Sequence, residues 1–191
     1  MRPEERIYRA FFEAKKSRLY FNEIKEKTKL SDSSLWNTLK KLTTNKTFNK
    51  IKTKSNTFYE IKNEKLIAIK FAEIAIKKFE NLNTGVKIPL KEFLKECPKD
   101  IQTIILFGSA SKKQEKKGSD IDLLIVANQK KEINELTEKI NAISNYNISI
   151  FEITYDEYIK NKDHVVVQAK KTGFPIQNEQ LFYEVQINEY R

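Results

Sequence analysis

The sequence predicts an α+β chain in two parts joined by a helix. Three observations predict it. Before residue 45, apolar residues recur at helical spacing. Between 47 and 62 apolar and polar residues alternate about a polar turn, as in a β-hairpin. Beyond residue 100, apolar runs such as DIQTIILF and IDLLIV are bounded by turn residues and are short enough to be buried strands. With 191 residues the chain can form one medium domain or two small ones with modest cores. The pattern divides it into a first domain over 1–62, a connecting helix and linker over 63–84, and a second domain over 85–191.

In PEERIYRAFFEAKKS, Pro3 suits a first helical turn, and Ile7, Ala10, Phe11 and Ala14 form one face. FNEIKEKTKL follows as a second helix, with Phe21, Ile24 and Leu30 apolar. SDSSLWNTLKKLTTN opens on capping residues Ser31 to Ser34, and Leu35, Leu39 and Leu42 make its buried stripe. TFNKIKTKSNTFYEIK then turns at Lys54-Ser55-Asn56. Helices followed by a hairpin in this order resemble a winged helix-turn-helix. That resemblance implies a third helix entering the major groove of double-stranded DNA and a hairpin lying along phosphate. Ser33, Ser34, Asn37, Lys40 and Lys41 would face outward on the helix, while Lys50, Lys52 and Lys54, at period two, would track the backbone. Trp36 reads as a core residue rather than a base contact.

The formal charge of +10 is uneven: residues 1–87 hold 21 Lys/Arg and 10 Asp/Glu, whereas 88–191 hold 15 and 16. Compositional drift would charge both halves alike, so the asymmetry points to a nucleic-acid partner for the first half. The single cysteine, Cys97, cannot form an internal disulfide, which fits a reducing compartment. The N-terminus lacks the apolar core of a secretory signal, and no apolar run approaches the ~20 residues that span a bilayer. The expectation is a soluble, cytoplasmic protein without membrane attachment.

Residues 63–82 read as a helix with Leu66, Ile67, Ile69, Phe71, Ile74, Ile76 and Phe79 on more than one stripe. Such a helix needs partners on two sides, so it packs between the domains or against its copy in a homodimer. NLNTGVKIP breaks it, KEFLKEC is a short helix, and residues 132–144 form an amphipathic helix with Ile133, Leu136, Ile140 and Ile143 inward. Residues 155–173 read as one further helix stopped by Gly173, with FPIQ as a closing strand. His164, the only histidine, lies in that helix near no recognisable partner and reads as a surface or packing residue.

The chemistry concentrates in FGSASKKQEKKGSDIDLLIV. A strand ending in Gly108-Ser109 and entering a helical turn presents backbone N–H groups and a hydroxyl, which suit phosphate oxygens. Asp120 and Asp122 lie two apart at the mouth of the next strand, hence side by side on one face. Two carboxylates so placed raise each other's cost of ionising, and a Mg²⁺ ion carrying phosphates would relieve it.

Gly-Ser, ten residues, then Asp-x-Asp between two strands closely resembles the DNA polymerase β-type nucleotidyltransferases, in particular their minimal branch. The resemblance implies transfer of a nucleoside monophosphate from an NTP, ATP first among them, to an acceptor hydroxyl on a protein, an RNA or a small molecule. It implies Mg²⁺ (or Mn²⁺) on Asp120 and Asp122, and nucleotide contacts from Gly108, Ser109, Ser119 and Lys112. It also implies a third carboxylate on a later strand. Over 146–154 that position falls on Ser149, or on Asn147, while Glu152 has the opposite parity. The alternative is a DNA-binding regulator, or an antitoxin-like protein paired with a toxin, whose degenerate transferase domain only senses nucleotide.

Overall fold

The computed structural model describes residues 1–129, 133–160 and 162–190. It divides into two compact units, one of residues 1–74 with 180–191 and the other of residues 75–179.

The first unit begins with α1 (Pro3–Ala14), whose Ile7, Ala10 and Phe11 are buried as the spacing predicts. A three-residue strand, β1 (Arg18–Tyr20), runs into α2 (Phe21–Thr28), and α3 (Asp32–Thr44) follows. Ser31 caps α3 by accepting the Ser34 N–H at 3.3 Å. Leu35, Leu39 and Leu42 are its buried stripe. The hairpin β2 (Phe48–Lys52) and β3 (Thr57–Ile61) closes on the Thr53–Asn56 turn, where Thr53 N–H donates to the Asn56 carbonyl at 2.8 Å. Sheet order is β1-β3-β2, all antiparallel. Phe48 stacks on Phe11 with centroids 4.7 Å apart, fixing the hairpin to α1.

The helix α4 (Glu64–Glu80) buries Ile67, Ala68, Phe71, Ala72, Ala75 and Phe79, whereas Ile69 and Ile76 are exposed. Within the first unit, Phe71 meets Phe12 and Tyr183 edge-on at 5.6 and 5.4 Å. Tyr183 belongs to α9 (Glu179–Glu189), which returns to the first unit; the Ser17 N–H and hydroxyl both donate to the Tyr190 carbonyl beyond it.

In the second unit the predicted break after α4 is present but shorter than expected, at residues 81–83, because α5 (Thr84–Glu96) starts before Pro89 and keeps it inside the helix. Pro89 offers no N–H to the Gly85 carbonyl and sets its ring against it, yet the helix continues to Glu96. The sheet has order β6-β5-β4-β7, made of β4 (Thr103–Phe107), β5 (Ile121–Ala127), β6 (Ile148–Thr154) and β7 (Phe174–Gln177). Only β5 and β6 run parallel, connected through α6 (Asn134–Asn141). The expected helix over 132–144 begins at residue 132, outside the described residues. Ile143, expected inward, is exposed because α6 ends at Asn141.

The single helix expected over 155–173 is two, α7 (Tyr155–Lys160) and α8 (His164–Thr172); Asn161 lies outside the described residues. The Asp163 carboxylate caps α8 by accepting the Val165 N–H at 2.7 Å, so a new helix starts there. His164 is its exposed first residue. No helix among the described residues is long and apolar enough to cross a membrane.

Candidate functional site

β4 and β5 are neighbouring antiparallel strands whose connection carries the Gly-Ser turn at one end and the aspartates at the other. β4 is buried along its whole length, and Phe107 pairs in register with Asp122. The chain leaves β4 through Gly108 at φ +69°. A Cβ there would collide with Oδ2 of Asp122 and lie 3.1 Å from its Cγ. Position 108 therefore excludes a side chain twice over, by backbone conformation and by the carboxylate seated against it.

Ser109 opens a 3-10 turn over Ala110–Lys112, and its carbonyl accepts the N–H groups of Lys112 and Gln114, each at 3.0 Å. Ser111 is fully buried, and its hydroxyl donates to the Gly108 carbonyl at 2.8 Å. Its buttressing role went unread because small polar residues in a Lys-rich loop carry no periodic signal. Lys112 is exposed at the end of the turn. The Ser119 hydroxyl accepts the Lys116 N–H at 2.9 Å and closes the loop just before Asp120. Glu115 accepts a hydrogen bond from the Asn83 amide, tying the middle of the loop to the start of α5.

Asp120 is exposed one residue before β5, and Asp122 is half-buried on it. Burial, and then the Asp120 charge, hold the Asp122 carboxyl above its ordinary value. The two carboxylates thus lie close enough to repel, as their spacing predicts. Two hard oxygen donors of this kind fit Mg²⁺, which is held by one or two carboxylates with substrate phosphates completing its shell.

In the parallel pair β5–β6, Ser149 is the register partner of Asp122, whereas Glu152 pairs with Ile125. Partners across a ladder share a face, so Ser149 stands beside Asp122 and Glu152 points to the other side. There Glu152 and Asp100 add to the burial that pushes the Cys97 thiol up to about 11. Among the described residues no trio of acidic, His or Cys side chains could hold a metal.

In the first unit, Ser33, Asn37, Lys40 and Lys41 are exposed on α3, and Ser34 is half-buried. Lys41 pairs with Glu4 at 2.7 Å. Lys50 and Lys52 share one face of β2, opposite Tyr59 and Thr57; Lys54 lies in the turn, where the strand pleat does not set its direction. Trp36 corrects the core expectation: it is 48% exposed, one position off the leucine stripe, with Lys40 Nζ 5.2 Å above its ring. It lines a cleft of about 330 Å³ with Tyr20, Asn22, Lys50, Asn56 and Tyr59 among others.

Comparison with curated proteins and with solved structures gave no match. A family model described as Polymerase beta, Nucleotidyltransferase matches residues 89–172, a span holding the turn, both aspartates and Ser149. That match supports placing this segment in the polymerase β-like nucleotidyltransferase superfamily.

Proposed function

We propose that the second unit binds a nucleoside triphosphate, ATP first among them, and transfers its nucleoside monophosphate to an acceptor hydroxyl. The observation that carries this reading is the Asp122 carboxylate seated against the Gly108 turn, with Asp120 beside it. Asp120 and Asp122 would hold Mg²⁺ or Mn²⁺, which supplies charge neutralisation for the triphosphate and the departing pyrophosphate. Ser109 and the backbone N–H groups of the turn would take phosphate oxygens, with Lys112 and the Ser119 O–H at its edges. The chain offers Ser149 where a third carboxylate would stand, so the acceptor proton leaves to water or to a base that the acceptor brings. The acceptor is a protein, an RNA or a small molecule.

The first unit is proposed as a winged helix-turn-helix that binds double-stranded DNA. The order α1-β1-α2-α3-β2-β3 and the exposed polar face of α3 support it. The boundaries 1–62, 63–84 and 85–191 remain our proposed division of roles along the chain.

The test is incubation of the protein with Mg²⁺ and ATP labelled on the α-phosphate, in extract from which acceptors have not been removed. Wild type should label an acceptor, and Asp120→Ala with Asp122→Ala should not. Equal labelling by both would overturn the transferase reading. Nucleotide uptake without any transfer would select a second reading, a regulator or antitoxin-like protein that senses nucleotide, which Ser149 in place of an acid favours.

A further inference from the structure

We infer that the cleft between α3 and the hairpin is a stacking site for an unpaired nucleobase, so that the first unit holds single-stranded nucleic acid. The inference deepens the nucleic-acid reading of this basic unit and is independent of the transferase chemistry. Trp36 is 48% and Tyr20 37% exposed, although large aromatic side chains normally bury most of their area. Both line the same cleft. Its volume of about 330 Å³ lies at the small end of ligand pockets, which run from roughly 300 to 1,000 Å³.

The remaining lining identifies the occupant. Asn22, Ser55, Asn56 and Thr57 offer amides and hydroxyls, which match the donor and acceptor edges of a base. An apolar peptide side chain would meet polar groups there and leave them unpaired. Lys50 lines the cleft, and Lys40 lies over the Trp36 ring; neither carries an ion pair among the described residues. Aromatic faces for bases and free cations for phosphates are the two components of single-strand recognition. An intact duplex keeps its base faces stacked on one another and cannot offer one to Trp36.

The chain has one tryptophan, so its fluorescence reads this cleft directly. The full chain is titrated with a twelve-nucleotide oligoadenylate, as RNA and as DNA, and with a blunt duplex of mixed sequence. Single strands should quench the emission more deeply than the duplex, which can reach α3 but cannot stack a base on Trp36. The RNA and DNA arms show whether the sugar is also read, and binding of either supports the site. By anisotropy with labelled oligonucleotides, Trp36→Ala should weaken single-strand binding about 5- to 100-fold, while Trp36→Phe recovers most of it. Because Trp36 is half exposed, thermal melting should show the variants folded. Single-strand binding unaltered in Trp36→Ala, or equal quenching by duplex, would overturn the stacking site while leaving nucleic-acid binding intact. Absence of binding to every nucleic acid would remove the reading it rests on as well.

Discussion

Two influences push the Asp122 carboxyl the same way. Burial and the neighbouring Asp120 raise its pKa in the folded chain, so the folded state binds that proton more tightly than the unfolded state does. The stability contributed by the protonated form is present at low pH and is lost as pH rises through the raised value. Metal binding needs the ionised form, so affinity for Mg²⁺–ATP should fall as pH drops through the same window, which lies above the ordinary aspartate value. Asp122→Asn keeps the shape and removes the charge. At pH 7 without divalent metal it should raise the melting temperature slightly, since water screens much of the repulsion, and abolish nucleotide uptake by calorimetry. A lower melting temperature would mean that the carboxylate makes a stabilising contact. Ser149→Asp tests the same site from the adjoining strand. A third carboxylate beside Asp122 should tighten Mg²⁺–ATP about tenfold and lower the melting temperature in chelator, and unchanged affinity would place the missing acid elsewhere.

Helix ends show what local chemistry the sequence states openly and what it hides. Lys15 and Lys29 end α1 and α2 in the left-handed conformation, at φ 49° and 54°. The chain has only four glycines, so lysines occupy positions where glycine would be unstrained. Lys29→Gly should stabilise the protein by about 1 kcal/mol in urea unfolding; destabilisation would mean that the lysine side chain makes a contact worth more than the strain. The leucine stripe of α3 and the alternating hairpin were legible because their period repeats. The Gly-Ser turn and paired aspartates were legible because two strands frame them. β1 was not, since three residues are too few to show alternation. Pro89 concealed the start of α5, and Asp163 read as an interior residue of one helix rather than as the cap of a second. Trp36 was misread because hydrophobicity alone does not say which side of a stripe a residue falls on.

At the scale of the whole chain, the +10 charge becomes a statement about partners only through the lysines that remain unpaired. Lys16, Lys25 and Lys41 are engaged by Glu23, Asp32 and Glu4 at 3.0, 2.7 and 2.7 Å. Lys40, Lys50, Lys52 and Lys54 have no ion pair among the described residues, and they lie on α3 and the hairpin. Each lysine that neutralises a duplex phosphate contributes about 0.9 to the slope of log K against log salt. Lys50→Gln with Lys52→Gln should therefore flatten the slope for duplex DNA by between about one and two units. Lys41→Gln should change it by less than about half a unit, because Glu4 already satisfies that charge. Asp120→Ala with Asp122→Ala should leave the slope as it was, since those residues belong to the other unit. If the hairpin variant kept the wild-type slope while Lys41→Gln flattened it, the phosphate track would run along α3 rather than along the hairpin.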